Sequence, residues 1–267
     1  MSKLLEQKIA IIGCGNLGKS ILEGLLKVEG IKASNLTATR RNIESLDKFA
    51  HQGVKVTSNN VEAIAGANII VLGLKPHHIL IELEKLKEEI QENQIIISLA
   101  TGISLDDLQN ASGKPAIIFR AMPNTATTVA ESLTCICSNS EATEKTHLVE
   151  ELFNKLGSTV VIHENLMEAA TVLGACGIAF VLRFIRGMIQ GGIQIGFDAK
   201  TAGIIVNQTV KGASQLLIQN GEHPEFEIDK VTTPRGCTIS GLNEMEHNGF
   251  SSALIKGIVA SFDKIEK

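Results

Sequence analysis

The chain has 267 residues, of which 44% are hydrophobic and 20% are charged, so it can bury a sizeable core in one large domain or two smaller ones. Its formal net charge of −4 and its lack of Trp and Tyr argue against nucleic-acid binding, which needs basic surface and aromatic stacking platforms. The absence of Tyr also excludes a dehydrogenase that protonates a carbonyl substrate through a tyrosine hydroxyl.

The cysteines and the N-terminal sequence predict a soluble, cytoplasmic protein. The five cysteines are Cys14, Cys135, Cys137, Cys176 and Cys237. Their number is odd and no pair has the spacing of a metal site, which is typical of free thiols in a reducing compartment. The first residues, MSKLLEQK, do not resemble a secretory signal, and no uninterrupted apolar run reaches about 18 residues. We therefore expect no metal site and no membrane-spanning segment.

Strand-like and helical patterns alternate along the first half of the chain. Short apolar runs predict strands at residues 8–12, 35–39, 54–56, 68–74, 94–99, 116–120, 133–138 and 158–162. Periodic segments between them predict helices at residues 16–28, 43–51, 60–64, 77–90, 105–109 and 142–156. Strands that are apolar throughout and alternate with helices indicate an α/β fold, in which helices cover both faces of a doubly wound parallel sheet.

The second half of the chain is predicted to be helical. Long runs with apolar periodicity occupy residues 164–191, 200–219 and 242–265, and little else in this half resembles a strand. We therefore place a domain boundary near residue 163, with the α/β domain at residues 1–163 and an all-α domain at residues 164–267.

A glycine-rich turn, GCGNLG at residues 13–18, follows the first strand directly. Gly13 suits the tight turn, Gly15 leaves room for a pyrophosphate beside the backbone, and Gly18 lets the helix pack closely on the strand. With Asn16 and Leu17 they open a helix whose free N–H groups and dipole attract phosphates. Tight strand–helix turns use glycine for other reasons too, but the place of this one near the N-terminus favours a dinucleotide site.

The end of the second strand indicates which dinucleotide binds. An NAD site usually places Asp or Glu there for the ribose hydroxyls, whereas this chain has Thr39, Arg40 and Arg41. A hydroxyl and two guanidinium groups can hydrogen-bond and neutralise a 2′-phosphate, so we predict NADP(H), with NAD(H) as the alternative cofactor. The competing interpretation is that the arginines are a solvated start of the next helix.

Further candidate cofactor residues lie near later strand ends, because ligands of doubly wound sheets bind beyond the carboxyl ends of the strands. The loops there are GLKP (residues 73–76), SLATG (residues 98–102) and RAMPNT (residues 120–125). The candidates from these loops and from the helix after the third strand are Asn60, Leu74, Lys75, Pro76, Ala100 and Asn124. Lys75 could instead be a plain surface charge, and Asn124 could serve only to stabilise its turn.

Other polar residues are interpreted as structural or solvated. His77 and His78, at a helix start, have no carboxylate or serine at a spacing that implies a proton relay, so we interpret them as capping or surface residues. The Lys- and Glu-rich run at residues 82–89 is typical of a solvated helix face.

Several motifs together resemble the pyrroline-5-carboxylate reductase family. They are GCGNLG, GLKP, SLATGIS, RAMPNT and, the most specific, DKVTTPRGCTISGLNEMEHNGF at residues 229–250. The resemblance implies a Rossmann-type N-terminal domain and an all-α C-terminal dimerisation domain. It also implies NADPH-dependent reduction of the small molecule 1-pyrroline-5-carboxylate to L-proline, the last step of proline biosynthesis. In the family the helical domains of a homodimer interleave, and dimers can assemble further into rings.

The resemblance also assigns roles within residues 231–241, VTTPRGCTISG. Thr233 and the backbone N–H groups around Gly236 and Cys237 would bind the substrate carboxylate. Thr238, as the catalytic residue, would place its hydroxyl near the ring nitrogen, and Val231 would pack on the ring. The reaction needs no metal, because a protonated cyclic imine accepts hydride once it is oriented. Without a ligand, the same stretch would be a Pro-Gly connection between helices.

The sequence departs from the family pattern in three places. Arg235 stands where a glycine is usual, residues 174–180 lack the usual hydroxyls and tyrosine, and Ala126 replaces a usual proline. Two alternatives therefore stay open, namely a divergent paralogue that reduces another imine and a non-catalytic NADP(H)-binding protein. A β-hydroxyacid dehydrogenase, which shares the two-domain layout, is disfavoured because residues 174–186 contain no counterpart of its catalytic lysine.

Overall fold

The computed structural model describes residues 3–265, apart from the side chains of Lys3, Glu141 and Thr143. Within this range the first half of the chain forms one eight-stranded sheet. Its strands are β1 (Ile9–Ile12), β2 (Leu36–Thr39), β3 (Lys55–Thr57), β4 (Ile69–Leu72), β5 (Ile95–Ser98), β6 (Ile117–Met122), β7 (Ser132–Ser138) and β8 (Gly157–Val161). Their spatial order is β3-β2-β1-β4-β5-β6-β7-β8.

Neighbouring strands pair in parallel except at one place. β7 runs antiparallel to β6, with Arg120 opposite Cys137, and β8 then pairs in parallel with β7. The prediction of a doubly wound parallel sheet is therefore confirmed, with the β6–β7 pair as the exception. The connection between these strands, residues 123–131, is shorter than the crossover of about a dozen residues that parallel strands need.

Helices cover both faces of the sheet. They are α1 (Asn16–Leu25), α2 (Asp47–Ala50), α3 (Asn60–Ile64), α4 (Pro76–Leu86), α5 (Leu105–Ser112), α6 (Thr146–Asn154) and α7 (Met167–Ala170). Ile9 and Ile11 of β1 join a buried apolar cluster with α1 and α6. Ile12 joins a second cluster, with α3, α4 and α5, on the opposite face. This two-sided burial explains why the inner strands are apolar throughout.

The chain divides into two compact units at Ala175 and Cys176, later than the predicted boundary near residue 163. The first unit includes α7 because Met167 is fully buried in the second apolar cluster. A π-helical segment, Thr171–Cys176, follows α7 directly. Wide helical turns of this kind are rare and often occur at functional sites.

The second unit, Cys176–Asp263, consists of helices joined by short connections. Its helices are α8 (Gly177–Gln194), α9 (Ala199–Asn220), α10 (Pro224–Lys230), α11 (Cys237–His247) and α12 (Phe250–Ile265). Large apolar side chains on these helices are exposed, including Leu182, Ile204 and Ile255. Exposed apolar faces of this extent are typical of surfaces that another chain covers.

By length and composition alone, one helical stretch in the described range, Glu164–Gln194, is apolar enough to cross a membrane, with a mean hydropathy of 1.8 in its most apolar window. Arg183 and Arg186 lie in this stretch, so it contains no uninterrupted apolar run of about 18 residues. Interface helices of soluble proteins can be equally apolar, so the property does not by itself distinguish a lipid from a protein partner.

Candidate active site

A cleft of about 530 Å³ lies at the carboxyl ends of the first strands. Its lining brings together eight of the predicted cofactor residues, namely Gly13, Gly15, Thr39, Arg40, Arg41, Asn60, Leu74 and Lys75. The strand order β2-β1-β4 places these residues side by side although they are far apart in the sequence. Crevices at this edge are the usual ligand sites of doubly wound sheets.

The turn between β1 and α1 has the geometry that a phosphate-binding loop needs. Gly13 has φ +77°, and a Cβ on it would lie 2.3 Å from Leu74 Cδ2, so only glycine fits. A Cβ on Gly18 would lie 3.2 Å from Ile11 Cγ2, because α1 packs closely on β1. Gly15 is the N-cap of α1 and has no side chain to cap the helix. The first N–H groups of α1 can therefore donate to a phosphate.

Thr39 holds this turn in place. Its hydroxyl Oγ1 accepts a 3.1 Å hydrogen bond from the N–H of Gly13, and its carbonyl oxygen accepts a 2.7 Å bond from the N–H of Cys14. Thr39 is only 1% exposed, so these bonds are shielded from water. Thr39 was predicted to lie beside a 2′-phosphate. In the structure it also joins the end of β2 to the glycine turn through these two hydrogen bonds.

The cleft wall is strongly cationic. Its basic side chains are Arg40, Arg41, Lys75 and Lys85. His77 and His78 also line the cleft, with ring centroids 4.2 Å apart. Desolvation lowers the pKa of His78, and the charges of His77 and of the nearby cations lower it further. The interpretation of both histidines as capping or surface residues missed this location, although their place directly after a strand-end loop was an available signal.

Asn60 is oriented by a carboxylate that the sequence pattern assigns to a solvated helix face. Its Nδ2 donates a 2.7 Å hydrogen bond to Oε1 of Glu82 on α4, and Lys85 Nζ lies 3.5 Å from Glu82 Oε2. Glu82 lines the cleft together with Asn60, so this part of the helix face that was predicted to be solvated borders the candidate site. Three further lining residues that the sequence did not indicate are Asn42, Ser58 and Ile81.

The remaining predicted cofactor residues are outside the lining of this cleft. Asn16 and Leu17 begin α1, and Gly18, in its first turn, is buried against β1. Pro76 is the first residue of α4, and Ala100 is buried just after β5. All of them lie at or next to the carboxyl ends of strands, as expected, although they do not line this cleft.

Asn124 uses its side chain within the protein. Its Oδ1 accepts a 2.9 Å hydrogen bond from the N–H of Ala126, and its Nδ2 donates a 2.9 Å bond to the carbonyl oxygen of Gly174. Asn124 therefore stabilises its own turn, as the alternative interpretation expected, and in addition binds the π-helical segment.

In the second unit, the stretch at residues 231–241 forms a turn followed by the start of α11. The N–H of Gly236 donates a 2.9 Å hydrogen bond to the carbonyl oxygen of Thr233, which closes a turn with Pro234 and Arg235 at its centre. Arg235 has φ 59°, the left-handed backbone that glycine adopts most easily after a proline in such a turn. The departure from the family pattern thus keeps the backbone geometry, at a cost of about 1–2 kcal/mol for a side chain at this φ.

The helix start after this turn brings the predicted substrate residues together. Gly236 is the N-cap of α11, and a Cβ on it would lie 2.6 Å from Thr233 Oγ1, so any larger residue would displace the Thr233 side chain. The N–H of Gly236 is used in the turn, whereas Cys237 and Thr238 lie in the first helical turn, where N–H groups lack intrahelical partners. These two N–H groups can bind an anion. Val231, at the end of α10, is 62% exposed.

The cysteines are free thiols in different environments. Cys14, Cys135 and Cys137 are buried, Cys176 is half-buried and Cys237 is exposed. Burial raises the pKa of Cys14 and of Cys137 to about 11, so both are protonated at neutral pH. Among the residues that the structure describes, no three His, Cys, Asp or Glu side chains are grouped so that they could hold a metal ion.

A phosphate-binding glycine turn on a doubly wound sheet, a cationic cleft and an attached helical unit together define a Rossmann-type oxidoreductase that uses NADP(H). A family model described as "NADP oxidoreductase coenzyme F420-dependent" matches residues 8–102, and one described as "Pyrroline-5-carboxylate reductase dimerisation" matches residues 164–267. The chain belongs to the pyrroline-5-carboxylate reductase family.

Individual relatives support this membership over nearly the whole chain. The chain is 43% identical, over 98% of its length, to pyrroline-5-carboxylate reductase 1 of Dictyostelium discoideum, although it spans only 50% of that protein. It is 40% identical to pyrroline-5-carboxylate reductase 2 of the same organism, over 98% of this chain and 93% of the relative. The crystal structure of Plasmodium falciparum pyrroline carboxylate reductase with NADP bound has a TM-score of 0.86 and 27% identity, over 97% of each chain.

Proposed function

We propose that this chain reduces 1-pyrroline-5-carboxylate to L-proline with hydride from NADPH. The observation that carries the proposal is similarity along nearly the full length of proteins that are named pyrroline-5-carboxylate reductases. The cleft supports it, because phosphate-binding backbone and cationic side chains meet there in one place.

The first unit would hold the dinucleotide. N–H groups at the start of α1, next to Gly15, suit the pyrophosphate. Arg40 and Arg41 suit the 2′-phosphate, since guanidinium groups bind phosphate oxygens in pairs. The strand-end loop with Leu74 and Lys75 would flank the ribose on the nicotinamide side. NADPH is expected to be preferred over NADH because Thr39, not a carboxylate, ends β2.

The turn and helix start in the second unit would hold the substrate. The N–H groups of Cys237 and Thr238, with the hydroxyl of Thr233, would bind the carboxylate. The Thr238 hydroxyl would hydrogen-bond the ring nitrogen, and Val231 would pack against the ring. NADPH, when bound, supplies the hydride. As it adds to the ring carbon of the protonated imine, the C=N electron pair moves to nitrogen, so the protein's task is orientation and charge stabilisation.

The assembly and location of the chain are further parts of the proposal. The match to a dimerisation model at residues 164–267 supports a homodimer through these helices, and such dimers would assemble into rings. A partner subunit, rather than lipid, would then cover the apolar helix Glu164–Gln194. Its cysteines are free thiols, which is typical of a reducing compartment, so the chain would work in the cytoplasm, and its net charge of −4 favours no nucleic-acid partner.

An assay of NADPH oxidation with 1-pyrroline-5-carboxylate tests the proposal, together with a titration of NADPH alone. Turnover with NADPH and slower turnover with NADH are expected. Folded protein that binds NADPH without reducing any imine would contradict the proposal and favour a non-catalytic NADP(H)-binding protein. Turnover confined to other cyclic imines would favour a divergent paralogue.

A further inference from the structure

A buried arginine of β6 binds two carboxylates from the helical segment that begins at Glu164. The side chain of Arg120 is 5% exposed, with Nη1 3.0 Å from Oε1 of Glu164 and Nη2 2.7 Å from Oε1 of Glu168. The two glutamates are four residues apart, which places both carboxylates on one face of the segment. These three residues are called the Arg120 cluster below.

The same carboxylate oxygens hold the loop that follows β5. Oε1 of Glu168 accepts a 3.2 Å hydrogen bond from the N–H of Gly102, and Oε1 of Glu164 accepts a 2.7 Å bond from the N–H of Leu105. Gly102 has φ +73°, and a Cβ there would meet no atom within 4 Å. No atom of the described residues packs against Gly102 on that side, and the N–H groups of Gly102 and Leu105 are held by the two carboxylates.

A second contact fastens the other end of the same helical segment. The Nδ2 of Asn124, in the turn after β6, donates to the carbonyl oxygen of Gly174 at 2.9 Å. β6 and its following turn thus hold residues 164–174 at both ends, through Arg120 and through Asn124. Three segments of the first unit meet at the Arg120 cluster: β6, the loop after β5, and this helical segment.

Stability alone is a poor explanation for the Arg120 cluster. Burying charges is costly, and apolar side chains of similar volume often stabilise a protein as well or better. Within the described residues, two buried atoms of the cluster, Nε of Arg120 and Oε2 of Glu168, have no hydrogen-bond partner. The Arg120 cluster leaves polar atoms unpaired, yet it connects three segments. We therefore infer that it serves to hold these segments in place rather than to raise the free energy of unfolding.

We propose that Arg120 is a positioning residue for the nicotinamide end of the cofactor. By binding Glu164 and Glu168 it fixes the backbone at Gly102, and with it the loop that carries Ala100 beyond the end of β5. The inference rests on the proposed function in one respect, that this loop flanks the nicotinamide. The Arg40 side of the cleft follows β2, which β1 and β4 separate from β5, so the adenosine end should not depend on the cluster.

Two ligands separate positioning from general stability. NADPH probes the whole site, whereas 2′,5′-ADP probes only the adenosine half with its phosphates. Arg120→Met removes the cation at similar length, Arg120→Lys keeps a charge without the planar fork, and Glu168→Gln keeps an oxygen acceptor. Lys48→Met is the control, because the Lys48–Glu23 pair of 2.9 Å is on the surface. Each full-length variant is titrated with both ligands, assayed, and melted to confirm folding.

Arg120→Met is expected to weaken NADPH binding and to lower kcat, each by about tenfold or more, because small errors in orientation are costly in rate. Binding of 2′,5′-ADP should change by less than about twofold, since charges that distant couple weakly. Arg120→Lys should also lower NADPH affinity and kcat, and Glu168→Gln should lower both to a smaller extent. Lys48→Met should leave both unchanged.

Equal weakening of both ligands, or wild-type NADPH affinity and kcat in Arg120→Met, would overturn the proposal. If Arg120→Met does not fold, Arg120→Lys and Glu168→Gln decide by the same ratio of affinities. If the wild-type chain binds NADPH but does not reduce 1-pyrroline-5-carboxylate, the proposed function fails separately, and the affinity ratio still tests Arg120.

Discussion

The hydroxyl of Thr39, at the end of β2, accepts a 3.1 Å hydrogen bond from the backbone N–H of Gly13, in the turn after β1. This bond joins two neighbouring strand ends at the edge of the sheet where phosphates would bind. It also gives an acceptor to the N–H of Gly13, which would otherwise be left unpaired in a half-buried turn. Thr39 therefore shapes the phosphate-binding turn in addition to lining the cleft.

Replacing Thr39 with Val keeps the shape of the side chain but removes the acceptor for Gly13. We expect the free energy of unfolding to fall by about 1 kcal/mol, because a half-buried N–H loses its acceptor, and NADPH affinity to fall with it. Denaturant unfolding and an NADPH fluorescence titration measure the two effects. Thr37→Val, two residues earlier on the same strand, is the matched control. NADPH affinity equal to that of the wild type would contradict the role given to this bond.

Arg40→Ala and Arg41→Ala should each weaken NADPH binding by about tenfold, the worth of a hydrogen bond to a charged group. NADH binding should hardly change, because NADH lacks the 2′-phosphate. The ratio of the two dissociation constants isolates the effect from any general loss of folding. Were the arginines only the solvated start of the next helix, the ratio would stay at its wild-type value in both variants.

His78 gives the cleft a dependence on pH. Because desolvation and the neighbouring charges lower the pKa of His78, it takes up its proton at a lower pH than an ordinary histidine. The added charge faces a cleft lined by His77, Arg41, Lys75, Lys85 and Glu82. Acidification should therefore strengthen NADPH binding in the wild type relative to His78→Asn.

The comparison with His78→Asn is needed because the 2′-phosphate itself takes up a proton at about pH 6, which weakens its attraction to cations. Titrations of both proteins from neutral to mildly acidic pH therefore share the effect of the phosphate. Parallel curves for the wild type and His78→Asn would show that His78 does not contribute.

Arg235→Gly tests why an arginine occupies a left-handed backbone position. Glycine relieves strain at φ 59° but adds freedom to the unfolded chain, so the free energy of unfolding should change by less than about 1 kcal/mol. If the guanidinium attracts the substrate carboxylate, KM for 1-pyrroline-5-carboxylate should rise several-fold while the NADPH affinity is unchanged. Arg235→Lys keeps the charge, so its KM for 1-pyrroline-5-carboxylate should stay close to that of the wild type. An unchanged KM in Arg235→Gly would remove any substrate role for Arg235.

The strands of the sheet could be predicted from the sequence because each inner strand is a short run of apolar residues. Runs such as residues 69–72 are apolar at every position, which only a strand covered on both faces requires. The direction of β7 was missed because an apolar run contains no information about direction. The short connection after Met122 did contain it, since so few residues cannot form a crossover.

The candidate site was predictable where chemistry follows a strand end, as at Gly13, Thr39 and Arg40. It was not predictable where function depends on contacts between distant segments. Glu82 in a charged helix gives no sign that Asn60 will contact it. Arg120 gave a partial signal, because a charge within the apolar run AIIFR must find partners, but nothing in the sequence identified Glu164 and Glu168.

Measurement of proline formed per NADPH oxidised, in the wild type and in Thr238→Val, tests the assigned activity most directly. The wild type should form one proline for each NADPH consumed. Thr238→Val should bind NADPH normally and turn over at least about tenfold more slowly, because the hydrogen bond to the ring nitrogen is lost. NADPH oxidation without proline, or an unaffected Thr238→Val variant, would contradict the assignment of substrate and of catalytic residue respectively.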